Sequence, residues 1–448
     1  MRVQGRANER GAAARKPDDE NDRRGTHDTG SSNWSFTAFR AMIISAPEVT
    51  VADDAARARV SVELESAFPL LPETFPLWYE VPLEHREALP GERGDAFVVG
   101  LLFLAMRLHE DVEVRAPVSP RLLRGLREYQ RIFEAWFDYL QAVEIQHEGR
   151  ARPDDNGSGT ATFFSGGVDS FFTLRSHLEA REPIPDYQIT HGLFIDGFDT
   201  KRPGTSTFKT SFQAYAPLFE DLGCTLIPVR TNLKTYVNNE TVGWRAAHGS
   251  FLMSVALLVQ SSIDVCYVPS TEQYGDDANF EYGSNPLVDH LLSTDGLEIV
   301  HDGAWASRPE KTAAIAEWPA THDHLYVCFD RQNAALENCC RCEKCIRTMI
   351  ALKIKGRLDQ YSTFPLPLER RHIRGWELPH FDVSGGFADE LLAYAAENDR
   401  SKIANDLRYV LWTHRLRHSA VGRLLRRHVV EPAKRSDWIS SLYYRLKA

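Results

Sequence analysis

Between residues 161 and 355 the chain alternates short apolar runs with longer stretches whose apolar positions recur every three to four residues. Runs at 161–165, 189–195, 224–229, 265–269, 298–301 and 325–329 have the length and content of strands, while 168–180, 207–222, 247–261 and 309–318 carry a helical period. This alternation predicts an α/β fold: a Rossmann-like parallel sheet with helices on both faces. Residues 42–150 predict a small α/β domain of their own. Arg59 to Leu64 alternates as a strand, Leu77-Trp78-Tyr79-Glu80-Val81-Pro82 is a β-favouring run, and 96–108 reads as a buried helix followed by the strand Val112-Glu113-Val114. Ser119-Pro120 then opens a long amphipathic helix, with an N-cap and a proline in its first turn. The polar stretch 150–160 reads as a linker. Residues 1–41 have almost nothing apolar to bury and predict a disordered tail, with Met42 as a candidate biological start. Residues 356–448 become proline-rich and then helical.

At 448 residues the chain exceeds one ordinary domain, and its 43% hydrophobic and 25% charged content suits a globular protein with a sizeable core. It has no run of 18 apolar residues, which excludes a helical membrane span, and its first 35 residues lack the apolar core of a secretion signal. A cytoplasmic location is therefore expected. The net charge of -10 argues against wholesale binding to nucleic acid. Residues 401–448 run the other way, with eleven Lys or Arg against three acids. Trp412, Trp438, Tyr443 and Tyr444 interleave with those charges, so the segment reads either as a footprint for RNA or an acidic partner or as a solvated helical face.

In a parallel sheet ligands gather at the carboxyl ends of the strands, which directs attention to the segments that follow them. After the first strand comes Ser165-Gly166-Gly167-Val168-Asp169-Ser170, then a helical period. Two glycines let the backbone turn sharply and approach a ligand, and a helix starting there points unpaired N–H groups at an anion. Ser165 and Ser170 add hydroxyl donors, whereas Asp169 suits the holding of the loop or of a metal ion. Asp196, after the second strand, reads either as an acceptor for a ribose hydroxyl or as part of a turn. Arg230 after the third reads as facing phosphate or solvent. His248-Gly249-Ser250 reads either as polar residues at a helix start facing a nucleotide, or as a surface histidine and an N-cap. The polar loop from Ser270 to Asp289, with Glu272, Tyr274 and Asp276, has the length of a functional loop and the side chains of a substrate pocket. Lys311 reads as a counter-charge for a leaving group or as an ordinary surface lysine.

Five of the seven cysteines fall between 328 and 345. Cys339, Cys342 and Cys345 are spaced C-x2-C-x2-C, and Cys328 lies eleven positions upstream, which fits a closed tetrahedral Zn2+ site. Cys340 competes with Cys339 for one position, and an iron–sulfur cluster is the chemical alternative. Cys224 and Cys266 read as buried core residues.

The string Ser-Gly-Gly-Val-Asp-Ser resembles the SGGxDS loop of the PP-loop, or N-type, ATP pyrophosphatases. With Cys328, Cys339, Cys342, Cys345 and Arg347 it is most similar to the 7-cyano-7-deazaguanine synthase family, over residues 161–355. The resemblance implies an adenine nucleotide alpha hydrolase-like fold that uses ATP, Mg2+ and Zn2+. It implies a loop of Ser165, Gly166, Gly167, Val168, Asp169 and Ser170 cradling the β- and γ-phosphates, with Asp196 and His248 beside the nucleotide. Asp169, Ser170 and Lys311 are the implied catalytic residues. The implied reaction is adenylation of a carboxylate or amide, then attack by a nitrogen nucleophile; in the family proper a second activation yields a nitrile. This chain departs from the family at Ile195-Asp196-Gly197-Phe198, at His248-Gly249 and at Gly283-Ser284-Asn285-Pro286-Leu287, so substrate identity does not carry over. The competing expectations are a thiolation-type tRNA-modifying enzyme, which needs a reactive cysteine outside the metal site, and a non-catalytic nucleotide-binding module of a larger complex. A homodimer is also among the expectations.

Overall fold

A computed structural model describes residues 41–52, 54–151, 159–198, 204–274, 281–329, 336–378 and 386–419. The expectations for the tail before residue 41, for Asp276 and for the basic segment beyond 419 lie outside the described residues. Eleven strands join in one mixed sheet: β1 (Ala41–Ile44), β2 (Glu48–Ala52), β3 (Ala55–Glu63), β4 (Thr74–Pro82), β5 (Asp111–Val114), β6 (Ile145–His147), β7 (Thr160–Phe163), β8 (His191–Asp196), β9 (Thr225–Thr231), β10 (Val265–Pro269) and β11 (Glu298–Asp302). The order is β11-β10-β7-β8-β9-β4-β3-β1-β5-β6, with β2 beside β3. From β11 to β9 every pairing is parallel, whereas β4 lies antiparallel to β9 and β3. The regions 42–150 and 161–302 thus share a single sheet. Glu80 on β4 fixes the seam by pairing with Arg57 on β3 and with Arg230 on β9.

Side chains alternate across the parallel strands, because successive residues point to opposite faces. Phe163, Leu193, Val229 and Val268 enter one core, packed with α1 (Asp95–Leu108), α2 (Pro120–Trp136) and α6 (Trp244–Leu258). Phe164, Phe194, Leu226 and Tyr267 enter the other, with α3 (Val168–Ser176), α4 (Ser206–Asp221), α7 (Arg308–Ala316) and α8 (Glu343–Lys355). The short α5 (Leu233–Tyr236) follows β9, and α9 (Arg370–Arg374), α10 (Gly386–Glu397) and α11 (Ser401–His418) extend the second layer. Among the described residues no helix is long and apolar enough to cross a membrane.

One expected strand is absent. Residues 325–329 join no sheet, because their backbone groups are claimed elsewhere. Tyr326 N–H donates to Gly166 O at 2.8 Å, and the N–H groups of Val327 and Cys328 both donate to Asn338 Oδ1. The segment is a buried strap between the glycine turn after β7 and the cysteine cluster. The other strands after 160 fall within two or three residues of the pattern-based boundaries.

Candidate functional site

The chain leaves β7 and winds outward through β8 and β9 on one side and β10 and β11 on the other. A crevice opens between such diverging crossovers at the carboxyl end of the central strand. Residues 165–170 occupy that position. Gly166 has φ +75°, and a Cβ there would stand 1.9 Å from Tyr215 Oη, so both backbone conformation and packing require glycine. Gly167 occupies the N-cap position of α3 and has no side chain to satisfy the first-turn N–H groups. Ser165 is exposed, Ser170 Oγ donates to Gly167 O at 3.0 Å, and the two hydroxyls stand 3.4 Å apart. Val168 is fully buried, leaving only its backbone to face a ligand.

Asp169 extends from the first turn of α3 into a group of cations. Arg308 Nη1 donates to its Oδ2, and Lys311 Nζ lies 3.9 Å from its Oδ1. Arg308 and Lys311 sit one turn apart on α7, which places both on the same side of that helix. Lys311 is buried and donates to Ser270 O at 2.7 Å, so it is no surface lysine. Burial draws its ammonium below the usual range, with Asp169 opposing the shift. Arg347 and Glu343 on α8 complete the group at 3.1 Å from each other. Burial, then the Arg308 charge, pushes Arg347 down to about 10. Burial raises Glu343, against the pull of Arg347 and Arg308.

The four cysteines converge. All four sulfurs of Cys328, Cys339, Cys342 and Cys345 lie within 4.8 Å of one another, with three contacts at 3.4, 3.8 and 4.0 Å. A Zn–S bond near 2.3 Å gives a tetrahedral edge of about 3.8 Å, so the set can chelate a metal ion of zinc type. Cys342 N–H donates to Cys339 Sγ at 3.2 Å. Cys340 turns away in a left-handed conformation, its Sγ on Asn338 O, which assigns the contested position to Cys339. Asn338 binds the strap as well, donating to Leu325 O and Thr363 O. The cluster therefore secures both the strap on Gly166 and the start of α8, whose N-cap is Cys342. Cys224, Cys266 and Cys340 are buried, and burial raises each thiol, Cys224 to about 11.

Asp196, raised by burial, accepts from Gly204 N–H at 2.5 Å and faces Arg230 Nε at 3.4 Å, so its carboxylate is engaged by the protein's own groups. Arg230 pairs with Glu80 and Asp196 while its side chain keeps 41% exposure to solvent. His248 lies inside α6, not at its start, and burial lowers it to about 4; Ser250 likewise is no N-cap but bonds Ala247 O. In the polar loop Tyr274 is exposed, whereas Asp289 is buried and accepts from Ser284 Oγ at 2.8 Å and from His301 Nδ1 at 2.7 Å. Sequence reasoning gave no role to Arg308, Glu343 or His301. The three-residue spacing of Arg308 from Lys311, and the place of His301 at a strand's carboxyl end, were the available signals.

Compared with family models, with curated proteins and with solved structures, the chain finds no match in any of the three.

Proposed function

We propose that this chain is an ATP-dependent adenylating enzyme of the PP-loop type, cleaving ATP to AMP and pyrophosphate as it activates a carboxylate or amide for a nitrogen nucleophile. The observation that carries the reading is the junction at β7, where Ser165-Gly166-Gly167-Val168-Asp169-Ser170 turns from the central parallel strand into an uncapped helix backed by Arg308 and Lys311. The run of parallel strands β11-β10-β7-β8-β9 supports the reading, since its order reverses at β7 and open α/β sheets bind ligands at such a point. First-turn N–H groups of α3 and the hydroxyls of Ser165 and Ser170 suit the β- and γ-phosphates. Arg308 and Lys311 supply positive charge where pyrophosphate leaves. Mg2+, a hard cation, suits the Asp169 carboxylate once Arg308 turns to phosphate. Zn2+ in the cysteine cluster is structural, since four thiolates leave no open position for water. Sulfur transfer is the weaker reading, because each cysteine outside the cluster is buried with a raised thiol.

The test is ATP–pyrophosphate exchange and AMP release by the full-length protein with a carboxylate panel, ammonium and bulk tRNA, against Asp169→Ala. AMP and pyrophosphate are expected, lost in the variant. Formation of ADP and phosphate, or ATP binding without turnover, overturns the proposal.

A further inference from the structure

His301 stands at the next-to-last position of β11, paired with Val268 of β10. The next step of the register places Val268 level with Phe163, the last residue of β7. His301 is thus two strand spacings, about 10 Å, from the strand that feeds the glycine turn. Its ring points to the α6 side of the sheet, as does Ile299 two residues earlier. Nδ1 lies 2.7 Å from Asp289 Oδ2, and the side chain is 8% exposed. Asp289 is itself fixed from two more directions, by Ser284 Oγ at 2.8 Å and by Asn285 N–H at 3.3 Å. Among the described residues Nε2 has no partner. A carboxylate on one ring nitrogen fixes the tautomer that leaves the other with its lone pair free, and it stabilises the imidazolium formed when that lone pair takes a proton. The charge of Asp289 also reaches His248 of α6, held neutral by burial, and Tyr129 of α2, while Tyr282, packed on His248, lies under the charges of Glu272 and Arg245.

We infer that His301, oriented by Asp289, is the general base for the nitrogen nucleophile; this rests on the adenylation reading above. When an amine attacks the acyl-adenylate, the C–N bond forms and the C–O bond to the phosphate breaks. AMP leaves with that electron pair. The surplus proton on nitrogen passes to Nε2, and the imidazolium is paired with Asp289. The nucleophile is ammonia or a small primary amine, since a nearly buried ring leaves little room on that side.

His301→Asn separates this role from a structural one, because asparagine keeps an N–H donor near the Nδ1 position and so keeps the partner of Asp289. The full-length protein and the variant are compared with ATP and whichever of acetate, benzoate, nicotinate and orotate gives the fastest ATP–pyrophosphate exchange. The variant retains exchange but loses amide formation from ammonium chloride by about 10²–10⁴-fold. It keeps hydroxamate formation, because hydroxylamine is uncharged at neutral pH and reacts without a base. Amide formation at the native rate in the variant, or joint loss of exchange, amide and hydroxamate, overturns this inference alone. Absence of exchange in the native protein with all four carboxylates overturns the adenylation reading, and this inference with it.

Discussion

Gly249→Ala sets helix propensity against packing at one position. Gly249 is inside α6, where intrinsic preference favours alanine by about 1 kcal/mol. A Cβ there would stand 1.7 Å from Gly283 O, a backbone atom that cannot rotate away. Restoring a 3.4 Å contact requires α6 and the 281–285 segment to part by about 1.7 Å. That motion carries Gly283 N–H, 2.8 Å from Arg245 O, beyond hydrogen-bonding range. Overpacking costs about 1–3 kcal/mol and the broken bond about 1 kcal/mol. The net expectation after the propensity gain is a loss of about 1–3 kcal/mol. Urea unfolding should show a lower midpoint with an unchanged slope. A midpoint equal to or above that of the native protein would refute the packing argument. The same displacement moves Ser284 away from Asp289, so the environment of His301 changes along with stability.

Cys342→Ser should abolish the binding of about one zinc ion per chain, whereas Cys340→Ser should retain it, as measured by metal analysis of the purified proteins. His177 gives a pH-dependent test. Its ring nitrogens lie 3.1 Å from Asp302 and 3.1 Å from Glu182, and although burial opposes the charge, these carboxylates raise its pKa above the usual value. A raised folded-state pKa contributes stability that is fully present below about pH 6.5 and is lost as pH rises through the folded value. His177→Gln should therefore cost more stability at about pH 5.5 than at about pH 8.5. An equal cost at both would refute the ion-pair account.

The five parallel strands were legible because each is a short apolar run bounded by polar turns, and the glycine turn because its residue order is so particular. The strap at 325–329 misled because its apolar content is that of a strand, while its pairing is decided by Asn338, a side chain ten and more positions downstream. Cys339 could not be separated from Cys340 by spacing alone; the left-handed backbone at Cys340 decides it. The union of residues 41–150 with the rest was equally hidden. It depends on β4 meeting β9, which no local pattern encodes.

That meeting has a consequence for how the chain is made. Glu80 and Arg230 are 150 residues apart, and Trp78 is 153 and 154 residues from its partners Thr231 and Asn232. At about 5–20 residues per second, the ribosome delivers β9 roughly 8–30 s after β4. Throughout that interval β4, with Leu77, Tyr79 and Val81 destined for the interior, offers one open row of backbone donors and acceptors. Nascent chains halted short of residue 230 should be clients of chaperones and prone to aggregate, and those extending past β9 much less so.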